Sequence, residues 1–254
     1  MRVSVALLLA SSLLGGPLGL ASPADTISLR GHSQVLHVYG RRGGDPVVVL
    51  SGDGGWIHLG PHVAEALAAR GYFVAGLDAR SYLSSFTTAA ATLTVGDVPS
   101  DMAALIRWAS EGSPKRPVLV GVSEGAGLAV LSATDPAVQQ RVAGVVALGL
   151  PEVSELAWHW TDAWTYLSHR APNEPLFDVG SILGRVAPVP LAAIYSSHDE
   201  FVPLPAARGL FERASEPKQL WIVNAANHRF SNNLGQFDER LLDALAWVRA
   251  RSTP

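Results

Sequence analysis

The sequence contains no cysteine among its 254 residues. This absence excludes disulfide bonds, thiolate nucleophiles and zinc sites built on sulfur ligands. Histidine pairs with the spacing of a metal site are also lacking, and His198-Asp199-Glu200 by itself is too little to define one. We therefore expect neither thiol chemistry nor a bound metal.

Runs of basic charge are missing as well. The chain has 19 Lys and Arg against 22 Asp and Glu, and no stripe of basic and aromatic residues interrupts this balance. A nucleic acid partner is therefore not expected. Beyond the N-terminus, no apolar stretch is long enough to span a bilayer, and neither internal repeats nor low-complexity tracts occur.

The N-terminus has the pattern of a signal peptide. Arg2 supplies the positive charge, Val3–Leu14 is an uncharged apolar run, and Gly15, Gly16 and Pro17 end it. Small residues follow at the positions that a signal peptidase recognises. We predict a signal peptide over residues 1–24, a single mature domain over residues 25–254, and a periplasmic or secreted protein. A retained membrane anchor is the alternative.

From about residue 26, apolar strands alternate with helical segments. Strands that are apolar on both faces are typical of a parallel sheet covered by helices on both sides. The pattern therefore predicts one α/β domain with a mostly parallel central sheet. The expected strands cover residues 26–29 and 35–38 (a hairpin), 46–50, 72–77, 117–122, 142–148, 191–195 and 219–223; the expected helices cover 62–70, 100–110 (capped by Ser100), 126–133 and 234–249.

The most informative motif is Gly121-Val122-Ser123-Glu124-Gly125, which fits G-x-S-x-G. An apolar strand precedes it and an Ala/Leu-rich helix follows it, which is the context of a nucleophile elbow. Glycines flank the serine because a side chain at either position would collide with a neighbouring strand or helix. We predict that Ser123 is a catalytic nucleophile in an α/β-hydrolase fold; a glycine-rich turn with a passive serine is the alternative.

A serine needs a base and a group that orients this base. In this fold the acid and the histidine follow the serine in the chain, each after a strand. Asp199 and His228 occupy these positions, so we predict that they complete a triad with Ser123. Glu200 and Glu152 are the rival acids, and His198 is the rival base.

The oxyanion of the reaction intermediate needs backbone N–H donors. One is expected from Glu124, directly after the nucleophile. The second is expected from the glycine-rich loop at residues 51–56, with Asp53 favoured and Gly54 next. The Glu124 side chain has two open interpretations, namely attraction of a cationic substrate at the mouth of the site or pairing with a basic group such as Arg80.

Residues 151–189 interrupt the alternation of strands and helices with an aromatic-rich segment. Such a segment is expected to cross the C-terminal edge of the sheet, where ligands bind in open α/β folds. Two interpretations stay open: a short cap or lid over the site, and an ordinary connection with aromatic core residues. We predict that Trp56, Trp160 and Trp164 contact the substrate.

The string Ser51-Gly52-Asp53-Gly54-Gly55-Trp56 resembles the AcvB/VirJ family of exported bacterial hydrolases. The similarity continues through the helix that follows, through Gly76-Leu77-Asp78 and to the elbow, and more loosely covers most of the mature chain. Two elbow positions differ from the family pattern, which has an aromatic residue after the serine and an Asp further on. Glu124 and Gly127 occupy them here.

The resemblance implies a periplasmic α/β-hydrolase with catalytic roles for Ser123, Asp199 and His228. It also implies an aminoacylated phosphatidylglycerol substrate, chiefly the lysyl form, and a connection to virulence and type IV secretion. Our leading hypothesis is an exported serine esterase that needs no cofactor, acts on such a lipid headgroup and makes peripheral contact with the membrane. An esterase for soluble small esters and a non-catalytic secretion accessory are the alternatives.

Overall fold

A computed structural model describes residues 25–159 and 175–252. The leader predicted at residues 1–24 lies outside the described residues, as do Trp160 and Trp164, two of the predicted substrate contacts. Within the described ranges, no helix is both long and apolar enough to cross a membrane.

Ten strands occur in the described part of the chain, and eight of them form one sheet. The strands are β1 (Asp25–Leu29), β2 (His32–Tyr39), β3 (Asp45–Leu50), β4 (Tyr72–Leu77), β5 (Val118–Val122), β6 (Gly144–Leu148), β7 (Val153–Glu155), β8 (Leu176–Asp178), β9 (Leu191–Ser196) and β10 (Lys218–Val223). The order in the large sheet is β1-β2-β4-β3-β5-β6-β9-β10. β1 and β2 pair antiparallel, as do β2 and β4. The remaining neighbours, in the sheet order β4-β3-β5-β6-β9-β10, pair parallel. The predicted hairpin and the mostly parallel sheet are confirmed.

Helices cover both faces of this sheet. They are α1 (Leu59–Ala68), α2 (Ala79–Phe86), α3 (Asp97–Ser110), α4 (Glu124–Ser132), α5 (Pro136–Gln139), α6 (Val179–Ile182), α7 (Leu204–Glu212) and α8 (Leu234–Arg251). Along β3 the alternate residues Val47 and Val49 pack with α1 and α8, whereas Val48 and Leu50 pack with α2, α3 and α4. A strand buried on both faces has to be apolar throughout, which explains the continuous apolar runs.

Helix α3 begins earlier than the sequence predicts. Its first residue is Asp97, and Ser100 lies within the first turn instead of capping it. The Asp97 carboxylate accepts hydrogen bonds from the backbone N–H and the hydroxyl of Thr94, at 2.8 and 2.7 Å. Pro99 is tolerated because the first turn of a helix needs no backbone donors. Helices α2, α5, α6 and α7 were not predicted from the sequence.

The segment 151–189 contains a second, two-stranded sheet in its described part. β7 and β8 pair antiparallel, with Ser154 opposite Phe177. Phe177 and Trp158 are 7 and 8 % exposed and pack in the main core. For these two rings, the interpretation as core residues is therefore the correct one. The question of a lid also depends on residues 160–174, which lie outside the described residues.

Candidate active site

Ser123 lies at a sharp turn between β5 and α4. Its backbone has φ 50° and ψ −115°, a conformation that costs a non-glycine residue on the order of 1–3 kcal/mol. A Cβ at Gly121 would overlap the backbone of Gly125 and Ala126, and a Cβ at Gly125 would overlap the carbonyl of Ser51. The local geometry is that of a nucleophile elbow, for the steric reason inferred from the sequence.

Asp199 and His228 form a hydrogen-bonded pair. Asp199 follows β9 and His228 follows β10, and Asp199 Oδ2 lies 2.7 Å from His228 Nδ1. The other carboxylate oxygen accepts the backbone N–H groups of Phe201 and Val202, at 2.9 and 2.8 Å. These contacts favour the imidazole tautomer with its proton on Nδ1, which leaves Nε2 available as a base.

The rival groups have other partners. Glu200 Oε2 accepts the backbone N–H of His228 at 2.7 Å, so it contacts the backbone of the histidine and not its ring. Glu152 forms an ion pair with Arg213 at 3.0 Å. His198 Nδ1 lies 2.8 Å from the Ser197 hydroxyl. The geometry therefore favours Asp199 and His228 over all three.

Ser123 and His228 line the same cavity at the C-terminal edge of the sheet. Its volume is about 270 Å³, and the loop at residues 52–55, the start of α4 and the strand β7 provide its walls. The described residues contain no cluster of three or more His, Asp or Glu side chains that would hold a metal ion. A cavity of this size accommodates a small acyl group next to a serine and an imidazole.

The glycine-rich loop folds back against the nucleophile. The N–H of Gly55 donates to the Gly52 carbonyl at 3.0 Å, and a Cβ at Gly52 would lie 3.5 Å from Ser123 Cβ. Burial raises the pKa of the Asp53 carboxyl, and its hydrogen bond from the Gly54 N–H offsets this only in part. The predicted oxyanion donors, Glu124 and either Asp53 or Gly54, all border this cavity.

The Glu124 side chain is not where either interpretation placed it. It is only 6 % exposed, and its Oε1 accepts the backbone N–H of Glu155 at 2.7 Å. Arg80, the expected partner, instead lies over the Trp158 ring at 5.4 Å. Burial and the neighbouring Glu155 charge raise the pKa of Glu124 well above its ordinary value. The carboxyl thus faces strand β7 and not the mouth of the cavity.

The structure places Trp56, a predicted substrate contact, outside the lining of the cavity. Its indole stacks on His37, with ring centroids 4.5 Å apart and planes at 2°, and its Nε1 donates to the Tyr39 hydroxyl at 3.2 Å. The ring fills the space that the absent side chain of Gly76 leaves over β4. Trp56 therefore fixes the glycine-rich loop from behind and does not line the cavity.

Sequence reasoning missed two residues that hold this loop. Asp78 Oδ2 accepts the backbone N–H of Trp56 at 3.0 Å, while Oδ1 caps α2 at Ser81. The Ser51 hydroxyl accepts the backbone N–H of Ala79 at 3.0 Å. The available signal was the position of Asp78 directly after an apolar strand, which places its carboxylate at the same sheet edge as the loop.

The rim of the cavity was also missed. Ile57, Val153 and Phe201 line it and are 51, 45 and 51 % exposed, and the Phe201 ring meets His228 edge-on at 5.4 Å. Arg229 lines it too. Gly149, with φ 60°, lies under the imidazole, and a Cβ there would overlap His228 Cε1. These residues come from separate segments of the chain, so no local pattern brought them together.

Comparisons with solved structures identify the fold. The α/β hydrolase GrgF from Penicillium sp. sh18 matches with a TM-score of 0.67 at 14% identity, over 90% of this chain and 100% of that chain. Est1E from Butyrivibrio proteoclasticus matches with a TM-score of 0.65 at 14% identity, over 90% and 100%. A membrane phospholipase A, described as a bacterial virulence factor, matches with a TM-score of 0.66 at 12% identity, over 89% and 86%. At these identities the matches establish the α/β-hydrolase fold alone.

Comparison with curated protein sequences finds no match. A family model, described as bacterial virulence protein (VirJ), matches residues 45–248. This range begins at β3 and ends in α8, so it includes Ser123, Asp199 and His228 together with the loop that faces them. The chain therefore belongs to the VirJ family of bacterial virulence proteins and has the α/β-hydrolase fold.

Proposed function

We propose that this protein is an exported serine hydrolase that cleaves a carboxylic ester through an acyl-enzyme. The observation that carries the proposal is the 2.7 Å contact between Asp199 and His228 beside a cavity that Ser123 also lines. A strained serine, an oriented imidazole and a buried carboxylate in one place are the parts that nucleophilic catalysis by serine needs.

The proposed reaction has two stages. Ser123 Oγ attacks the ester carbonyl carbon while His228 Nε2 takes the hydroxyl proton, and the backbone amides of Glu124 and Asp53 stabilise the oxyanion. Collapse of this intermediate breaks the bond to the alcohol, which leaves with the proton from His228. Water then attacks the acyl-enzyme with His228 again as the base, which releases the acid and restores Ser123. These steps need no cofactor.

For the substrate, we propose the aminoacyl ester of phosphatidylglycerol, in its lysyl form. Asp53 and Glu155 line the cavity, and carboxylates suit the ammonium groups of an aminoacyl ester. Arg229 lines the same cavity and suits a phosphate. The exposed rim of Ile57, Val153 and Phe201 suits contact with a lipid surface. A membrane phospholipase A with the same fold is consistent with such a substrate.

We base the proposal of export on the leader predicted at residues 1–24. Export would place the protein in the periplasm or outside the cell, where it could make peripheral contact with the membrane.

The test of the substrate uses the purified mature protein, residues 25–254, with lysyl- and alanyl-phosphatidylglycerol in mixed micelles and with p-nitrophenyl acetate and butyrate. We expect release of lysine and a loss of about a million-fold in turnover for Ser123→Ala.

The other outcomes separate the alternatives. Hydrolysis of the p-nitrophenyl esters alone would replace the lipid substrate by a soluble ester and would retain the serine mechanism. Equal activity of the Ser123→Ala variant and the wild type would overturn the serine mechanism. Failure of the folded wild type on every ester, together with no labelling by a fluorophosphonate, would favour a non-catalytic secretion accessory.

A further inference from the structure

Strand β7 forms one wall of the cavity that Ser123 also lines. Val153 and Glu155 line the cavity, and Ser154 between them is fully buried. The strand has three residues, and among the described residues it pairs with β8 alone. A two-stranded ribbon of this size has little stability of its own, so its position depends on what it docks against.

Two positions on α4 are shaped to receive this strand. The Glu155 backbone N–H donates to Glu124 Oε1 at 2.7 Å. One turn further along the helix, a Cβ at Gly127 would overlap the Ser154 hydroxyl. Glu124 therefore supplies an acceptor for a backbone N–H of β7, and Gly127 leaves space for the side chain of Ser154.

The buried Glu124 carboxyl has both a cost and a benefit in free energy. Burying a carboxyl group costs free energy, and here burial and the Glu155 charge together raise its pKa well above the ordinary value. An apolar side chain at this position would avoid that cost but would leave the Glu155 N–H without its acceptor. The carboxyl thus connects the residue after the nucleophile to strand β7.

We propose that Glu124 is a positioning residue that holds β7 at a fixed distance from Ser123 and so sets the width of the substrate cavity. The Glu124 side chain acts through its hydrogen bond to β7. The part of this inference in which Glu124 affects substrate specificity rests on the proposed esterase function. The docking of β7 by Glu124 itself does not depend on that function.

Three variants test the docking. Glu124→Gln keeps an oxygen acceptor, Glu124→Ala removes it, and Glu152→Ala is the matched control. Glu152 precedes the same strand, but its exposed ion pair with Arg213 lies outside the cavity lining. Amide hydrogen exchange by NMR gives the direct readout. In Glu124→Ala we expect the Glu155 amide to lose at least tenfold in protection, and in the other two variants we expect it to stay within twofold.

A second amide shows whether the ribbon itself survives. The Leu156 N–H donates to the Pro175 carbonyl across the ribbon at 2.8 Å. Its protection should be the same in all three variants, because the pairing of the two chain segments does not involve Glu124. Unchanged protection of the Glu155 amide in Glu124→Ala would overturn the docking role.

Kinetics test the effect on the cavity. For Glu124→Ala we expect KM for the ester to rise about tenfold and by a larger factor than kcat falls, because a loosened wall weakens binding more than chemistry. Glu124→Gln should restore KM to within twofold. A Glu124→Gln variant as impaired as Glu124→Ala would contradict the acceptor role, as would a loss confined to kcat.

Gly127→Ala is the second route if Glu124→Ala fails to fold. An added Cβ there would push Ser154 and β7 away from α4 and leave Glu124 chemically unchanged. We expect the same rise in KM, and an unchanged KM in a folded Gly127→Ala variant would overturn the proposal. Labelling of the wild type with a fluorophosphonate separates the two questions. Without labelling the esterase proposal fails, while the exchange result still decides the docking role.

Discussion

The glycine beneath the catalytic imidazole offers a sharp test of the site geometry. Gly149 has φ 60°, and a Cβ there would overlap His228 Cε1 and lie 3.0 and 3.2 Å from Nδ1 and Nε2. Ordinary contact between heavy atoms needs about 3.5–4.0 Å. In Gly149→Ala the imidazole therefore has to move by about 1 Å, away from the position that Asp199 gives it.

Two costs follow from this substitution, and they act on different properties. The left-handed backbone conformation costs an alanine about 1–2 kcal/mol of folding stability. Displacement of a catalytic group by about 1 Å costs on the order of a hundredfold in rate. We therefore expect Gly149→Ala to fold with a lowered melting temperature and to lose about a hundredfold in kcat/KM.

Two further glycines separate these costs. Gly71 has φ 87° and open space where its Cβ would lie, so Gly71→Ala should carry the backbone strain without any effect on the imidazole. Gly209 lies in α7 with open space around its Cβ position, so Gly209→Ala should be neutral or stabilising by up to about 1 kcal/mol. Both should keep wild-type kcat/KM. The melting temperature and kcat/KM for ester hydrolysis are measured for all three variants. A Gly149→Ala enzyme with kcat/KM within threefold of the wild type would refute the placement of His228.

Other predictions concern the acid, the buried carboxyl and the leader. Asp199→Asn should lower kcat by about ten-thousandfold because an amide favours the wrong tautomer of His228. Glu200→Gln should change kcat less than tenfold, because the amide oxygen still accepts the backbone N–H of His228. A larger loss of kcat in Glu200→Gln than in Asp199→Asn would contradict Asp199 as the acid of the triad. Because the pKa of Glu124 is raised above its ordinary 4.5, the folded protein retains this proton to higher pH than the unfolded chain, and stability falls as pH rises through that window. The melting temperature of Glu124→Gln minus that of the wild type should therefore be larger at pH 8 than at pH 5. An equal difference at the two pH values would contradict a raised pKa of Glu124. N-terminal sequencing of the extracytoplasmic fraction should find a start near residue 22 or 25, and an intact Met1 on a cytoplasmic species would exclude export.

Local patterns in the sequence were enough to predict the sheet and the elbow. Continuous apolar runs predict buried parallel strands because each strand must exclude water on both faces. Gly121 and Gly125 mark the elbow because the turn leaves no space for a Cβ at either position. Asp199 and His228 could be predicted because the fold places both at strand ends in a set chain order. For the sheet and the elbow this information lies within a few residues of the position concerned, and for the acid and the base it also includes the chain order of the fold.

Only the tertiary structure decided where the individual side chains point. Glu124 and Glu155 are 31 positions apart, and Trp56 contacts His37 and Tyr39 across two strands. Such contacts depend on how separate elements pack, and a sequence pattern carries no record of that distance or direction. The sequence therefore determined the fold and the three groups beside the cavity. Packing between distant segments determined that Trp56 supports the loop from behind and that Glu124 faces a neighbouring strand.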